Sequence, residues 1–297
     1  MQLQHLETLA AVLDEGTFEA AARRLHITAS AVSQRVKAME EQAGQVLVQR
    51  GSPARPTAAG ELIVRYAKQV QLLGHDLDRS LGGGLVPTLP VGVNADSLAT
   101  WFLPAIAAAH DALGVMLDVH LDDQEYTSTL LRSGRVMAAV SSEAVAVQGC
   151  TSTPLGRMRY RAVASPAFIA RWIPDRDIAA LATAPFVDFD RKDGLQRGFL
   201  RARFGRDPGA PRHLVPTSAD FARAVTLGLG WGMLPDQQSR AELASGDLIE
   251  LAPDHPHDVS LHWQRWNLDS PLLDELTRFV REAAAKSLVA PAFTDAE

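Results

Sequence analysis

Between Phe18 and Met39 apolar residues recur at helical spacing in two separate stripes. Phe18, Ala21, Ala22 and Leu25 form one face, and Val32, Val36 and Met39, at i, i+4 and i+7, form another. The small alanines allow a neighbouring helix to cross closely, "LHIT" supplies a short corner, and Thr28 is placed to cap the second helix. A helix-turn-helix is the predicted unit. The side opposite the second stripe carries Ser30, Ser33, Gln34 and Lys37, with Arg35 beside them. Ordinary solvated faces are rich in Glu and Lys, whereas this one offers donors and acceptors suited to base edges and phosphates. A helical hairpin that never meets DNA fits the same stripes.

After this unit, "VLVQRGSPARPTAAG" reads as a short apolar run, a turn and a return before a helix capped by Thr57. That is the pattern of a two-stranded wing, which would set Arg50 and Arg55 near the DNA backbone or leave them as solvated turn residues. From Thr57 to Leu81 the pattern predicts one helix of about 37 Å, with Tyr66, Val70, Leu73 and Leu77 spaced as a seam. A second copy of the chain would cover that seam and pair two reading helices. Packing against the chain's own body is the alternative. "LGGGLVP" then ends the helix as a hinge.

From residue 88 onward strand-like and helix-like segments alternate, which predicts an α/β body with a largely parallel sheet. "LPVGV", "VMLDVHL" and "MAAV" are the first three strands, with helices over Ser97 to His110 and about Glu125 to Arg132 between them. "RYRAVA", "FVDF", "HLVP", "WGML", "LIEL" and "VSLHWQRW" follow as later strands, and two lobes are expected. Ligands of such sheets bind beyond the strand C-terminal ends. The residues there are Asn94, Asp96 and Ser97, then Asp122 and Asp123, then Ser141 and Ser142. A serine near a helix N-terminus can hold a carboxylate, and an aspartate can pair with an ammonium or guanidinium, a combination suited to an amino acid with a positive side chain. The same residues also read simply as helix caps and first-turn charges. Asp190, Asp193, Ser218 and Asp220 are weaker candidates from the second lobe, and Trp101 is the one aromatic proposed as a ligand wall.

The overall charge of −6 argues against a nucleic-acid binder until it is divided along the chain. Arg23 to Arg55 carries a net +4, residues 1 to 80 balance to zero, and the whole deficit lies beyond them. A basic module joined to an acidic body suits a DNA reader with a sensor of cationic ligands. The start "MQLQHLETLA" has no basic region followed by an apolar run, and no apolar stretch spans a membrane, so a cytoplasmic location without membrane partners is expected. Cys150, alone, has no disulfide partner and anchors no thiolate metal site. The chain lacks G-x-S-x-G, P-loop, G-x-G-x-x-G and H-E-x-x-H patterns, and His255, His257 and His262 lack an evident further ligand. No enzyme, cofactor or metal is therefore expected. An architectural or replication-related DNA binder without ligand control, and an enzyme using the cleft, are the rival classes.

The stretch "GTFEAAARRLHITASAVSQRVKAMEEQAG" and the wing ending "PTAAG" resemble the LysR-type transcriptional regulators. "VNADSLATWFLPA", "LDDQEYT" and "GLGWGMLP" are similar to the LysG/ArgP subgroup, which senses basic amino acids and controls their export. The resemblance implies a winged helix-turn-helix over 1–57, a linker and dimerisation helix over 58–81, a hinge over 82–87, and an effector-binding domain similar to periplasmic binding proteins over 88–297. Within that domain the first lobe would take about 88–161 and 265–297, and the second about 162–264. A homodimer or homotetramer would bind an interrupted inverted repeat in double-stranded DNA through Thr28, Ser30, Ser33, Gln34, Arg35, Lys37, Arg50 and Arg55. Lysine is the first expected effector and arginine the second, although "DDQEY" stands where the subgroup is richer in Glu.

Overall fold

The computed structural model describes residues 2–83, 86–121, 127–175, 177–205 and 209–290. The N-terminal unit comprises α1 (Leu3–Glu15), α2 (Phe18–Arg24), α3 (Ala29–Ala43), strands β1 (Val48–Gln49) and β2 (Arg55–Pro56), and α4 (Ala58–Ser80). Thr17, Thr28 and Thr57 each accept a hydrogen bond from the backbone N–H three residues on, satisfying a donor that the helix itself leaves open. Left-handed glycines, Gly16 and Gly44, stop α1 and α3. The two expected stripes meet in one core with Leu9 and Val12, so α1 adds a third helix to the expected pair. Glu40, on α3, accepts the Leu47 and Val48 N–H groups and so ties β1 to that helix.

The rest of the chain is two-lobed. The first lobe contains β3 (Thr88–Val93), α5 (Ala95–Ser97), α6 (Leu103–Leu113), β4 (Met116–Leu121), α7 (Thr127–Arg132) and β5 (Ala138–Ser141), and β6 (Cys150–Ala164) leads out of it. The second holds α8 (Pro166–Trp172), β7 (Phe186–Asp188), α9 (Leu195–Phe204), β8 (Arg212–Leu214), α10 (Ser218–Thr226), β9 (Gly232–Pro235), α11 (Asp236–Ser245) and β10 (Ile249–Glu250). The chain returns through β11 (His257–Trp266) to α12 (Pro271–Ser287), after which Val289 bridges back to Arg157 on β6. A π-helical turn, Leu98–Phe102, makes α5 and α6 one continuous rod. In the first lobe β4, β3 and β5 are parallel, and β11 lies antiparallel between β5 and β6.

β6 serves both lobes. Its Cys150 to Tyr160 stretch pairs with β11, Tyr160 to Val163 with β9, and Val163 and Ala164 with β10. It begins nine residues before the strand expected at Arg159, the added stretch being held by β11, with Pro154 and Gly156 flanking a bulge at Leu155 opposite Leu261 and His262. β7 and β8 form a parallel pair, joined to the sheet by a Phe186–Trp231 bridge.

The long helix α4 lies against both units. Val64 and Ala67 enter the N-terminal core, while Leu72 enters the core of the first lobe. The Arg65 guanidinium donates to the Gln148 and Gly149 carbonyls, each at 2.9 Å, and Arg79 donates to the Leu113 carbonyl. Asp76 accepts from the Ser270 hydroxyl and the Leu272 N–H at the start of α12. A Cβ on Gly134 would come within 2.8 Å of the Arg65 Cα, so the turn after α7 rests directly on the α4 backbone. The opposite side of α4 is uncovered: Tyr66, Leu73 and Leu77 of the expected seam are exposed, Val70 is half-buried, and Leu62 extends the stripe toward the wing. The chain's own body thus packs on a different face from the seam.

Candidate functional site

Two surfaces carry polar chemistry. On α3, Ser30, Gln34 and Lys37 are exposed and Ser33 is half-exposed, above the buried stripe Val32, Val36 and Met39. Thr28 is exposed, with its hydroxyl oxygen accepting the Ala31 N–H as the cap. Lys37 leans toward Glu41 at 3.6 Å, a solvated i,i+4 pair that leaves the ammonium accessible. Arg35 departs from its expected role: its guanidinium turns back to the Thr8 hydroxyl at 3.2 Å and the Gln4 side chain at 3.3 Å, bracing α3 on α1 rather than projecting outward. Both wing arginines are exposed, and the Arg50 guanidinium sits 5.3 Å from the centre of the Phe18 ring.

The second surface is a cavity of about 400 Å³ at the junction of the lobes. Its first-lobe wall comes from the end of β3, with Asn94 and Asp96. The facing wall comes from the loop after β7 and the first turn of α9, with Asp190, Asp193 and Gln196. Tyr160 and His257, facing each other on β6 and β11, lie at its base and edge. Asp193 accepts the Phe189 and Leu195 N–H groups and Asp190 accepts those of Lys192 and Asp193, so these carboxylates shape the loop at the cavity wall.

Asp96 spans the cleft. One carboxylate oxygen accepts from Tyr160 at 2.7 Å and the other from Ser218, on α10, at 2.6 Å. Ser218 in turn accepts from the Gln238 amide at 2.9 Å. Burial pushes the Asp96 carboxyl above its ordinary range, against the lowering effect of the Ser218 and Tyr160 donors, and the Asp193 charge pushes the same way. Beneath the loop, Asp188 is fully buried against Arg212 at 2.7 Å, and burial raises its pKa to about 6 despite that partner.

The residues expected at the effector site divide accordingly. Asn94, Asp96 and Asp190 line the cavity, and Ser218 reaches it through Asp96. Ser97 is buried behind Asn94, giving its backbone N–H to the Asn94 side chain. Ser141 is buried in β5 with its hydroxyl accepting the Glu143 N–H, and neither it nor Ser142 lines the cavity. Trp101 is not a cavity wall: the π-helical turn directs it into the core, 1% exposed, where its ring meets Phe102 edge-on at 5.6 Å. Asp220 points away, accepting from Thr217. Asp122 and Asp123 lie outside the described residues. Gln196, Tyr160, Gln238 and His257 were not expected. Of these only Tyr160 has a sequence signal, as the inward residue between Arg159 and Arg161 on an alternating strand. Among the described residues no group of three or more His, Cys, Asp or Glu side chains is placed to hold a metal ion, and no helix is long and apolar enough to cross a membrane.

Comparison with known proteins covers both units. Residues 3–61 match the bacterial regulatory helix-turn-helix protein, lysR family, and residues 82–285 match the LysR substrate binding domain. The chain is 45% identical over 285 residues to the HTH-type transcriptional regulator LysG of Mycobacterium tuberculosis (strain ATCC 25618 / H37Rv), covering 94% of this chain and 92% of that one. Among solved structures, ArgP from Mycobacterium tuberculosis superposes with a TM-score of 0.86 at 45% identity, covering 97% of this chain and 98% of the other. Full-length LysG from Corynebacterium glutamicum with bound effector Arg superposes with a TM-score of 0.79 at 38% identity, covering 97% and 100%.

Proposed function

The chain belongs to the LysR family of bacterial helix-turn-helix regulators, and from that premise we propose that its interlobe cavity takes a basic amino acid, lysine first and arginine second. The protein is a transcriptional regulator of the LysG/ArgP kind. The observation that carries this reading is the make-up of the cavity wall: among the described residues, three carboxyl groups, those of Asp96, Asp190 and Asp193, line it against one ammonium, that of Lys192. A cationic side chain offsets the mutual repulsion of these carboxylates, and favours the ionised form of Asp96 that burial disfavours. The arginine-bound relative supports the same ligand class.

Regulation then follows from differential affinity. A ligand that touches both lobes favours one lobe arrangement, and α4, gripped by the first lobe through Arg65, Asp76 and Arg79, carries that preference to the N-terminal modules. Paired through the exposed α4 seam, two α3 helices meet an interrupted inverted repeat, with Ser33 and Gln34 at base edges and Ser30 and Lys37 at the backbone. Thr28, Arg50 and Arg55 supply flanking contacts, and a basic amino-acid exporter gene is the target. Calorimetry on the full chain with lysine, arginine, histidine and uncharged amino acids tests the reading. Saturable binding confined to lysine or arginine is expected, and equal binding of uncharged amino acids would overturn it.

A further inference from the structure

We infer that Asn94 and Gln196 form a two-ended grip on the backbone of an α-amino acid, Asn94 donating to its carboxylate and Gln196 accepting from its α-ammonium. This rests on the reading that the cavity takes an amino acid, and it names which part of the ligand each lobe holds.

Folded proteins rarely leave a buried amide atom without a partner. Of the buried side-chain nitrogen and oxygen atoms without a hydrogen-bond partner among the described residues, two belong to residues lining the cavity: Asn94 Nδ2 and Gln196 Oε1. Their residues are 2% and 1% exposed. The Asn94 orientation is fixed by its other end, since Oδ1 accepts the Ser97 N–H at 2.8 Å and caps α5, leaving the nitrogen as the open donor. Gln196 sits in the first turn of α9, directly after the loop whose Asp190 and Asp193 make that wall negative. The first-lobe wall thus carries an open donor, and the second-lobe wall an open acceptor beside negative charge.

A molecule with an acceptor and a cationic donor close together completes both at once, and the cationic donor does so with the stronger, charge-assisted bond. The carboxylate and ammonium on one carbon of an α-amino acid do so, whereas a diamine satisfies Gln196 alone and an ω-amino acid lacking the α-amine satisfies Asn94 alone. Asp96 contrasts with both, because Tyr160 and Ser218 already occupy its oxygens. It remains available as counter-charge for the ligand side chain rather than for its backbone.

The test is calorimetry on the full chain and on Asn94→Asp, Gln196→Leu and Gln196→Glu. L-lysine, L-arginine, cadaverine and 6-aminohexanoate are the first ligands, followed by the remaining L-amino acids. Asn94→Asp keeps the cap and removes the donor, and Gln196→Glu keeps an acceptor where Gln196→Leu does not. Lysine affinity should fall at least about tenfold in Asn94→Asp and Gln196→Leu and stay within about threefold in Gln196→Glu. On the unaltered chain, which needs no variant to fold, cadaverine and 6-aminohexanoate should each bind at least about tenfold more weakly than lysine. Lysine binding indifferent to the substitutions, or either analogue matching lysine, would overturn the grip while leaving the basic-ligand reading standing. If instead an uncharged amino acid binds with the same dependence on residues 94 and 196, the basic-ligand reading fails and the grip stands. Binding of no amino acid at all overturns both.

Discussion

At the residue scale the sharpest consequence belongs to Asp188. Its pKa is raised by burial from 3.8 to about 6, so between those values the folded chain holds a proton that the unfolded chain has lost. Stability therefore falls as pH rises through that window, and above it the ionised carboxylate costs on the order of 2–3 kcal/mol. Asp188→Asn cannot ionise and keeps an oxygen for Arg212. Urea denaturation at about pH 4.5 and about pH 7.5 should show the variant gaining on the parent at the higher pH by roughly that amount, and a constant difference would refute it. On α3, Gln34→Ala should cost about 1–3 kcal/mol on a specific operator and little on random duplex, measured by titration at fixed salt. Equal losses on both would remove Gln34 from base reading. Asp96 and Ser218 were each legible in the sequence as residues at strand and helix ends, but their mutual bond was not, since it joins positions 122 apart. Gln196 gave no signal because it enters the cavity from a helix turn rather than a strand end, and Trp101 misled because large aromatics near a ligand motif and in a core look the same in sequence.

Elements were read well where their period was strong. α3 and α4 lie where their stripes and threonine caps put them, and α5 with α6 occupies the expected helix with a few residues added at each end. The first half of β6 lies outside the expected strand, because Pro154 and Gly156 interrupt its local pattern and its pairing comes from β11, about a hundred residues later. Tertiary contacts also explain the seat of α4 on the N-terminal unit. Lys68, 8% exposed, places its ammonium 2.7 Å from Asp14 on α1. Asp14→Ala leaves that ammonium buried without its anion and should cost about 1–3 kcal/mol, the partial exposure of Asp14 keeping the loss below that of a fully buried pair. Adding Lys68→Met should restore at least half. Chemical denaturation of the two variants decides it, and an unchanged midpoint for Asp14→Ala would show the pair contributes nothing.

At the scale of the molecule, the charge division seen in the sequence has a partial counterpart in space: Lys37, Arg50 and Arg55 are exposed on the winged unit, and carboxylates line the cleft. Leu62, Tyr66, Leu73 and Leu77 remain 71%, 56%, 42% and 60% exposed, a continuous apolar stripe on a helix already packed on its other side. Placing lysines at Leu73 and Leu77 should convert the protein to a monomer by light scattering and weaken binding to a two-half-site operator far more than to one half-site. A parent chain already monomeric at micromolar concentration would refute that use of the seam.

The bonds from Asp76 to the first turn of α12 bear on how the chain is made. The second lobe is complete in sequence before β11 and α12 emerge from the ribosome, whereas the first lobe waits for both. The carboxylate that receives α12 is made nearly two hundred residues earlier, on α4. Until it docks, the surface that takes Leu272, Leu273, Leu276 and Val280 stays open on the nascent protein, so the first-lobe core closes later in synthesis than the second.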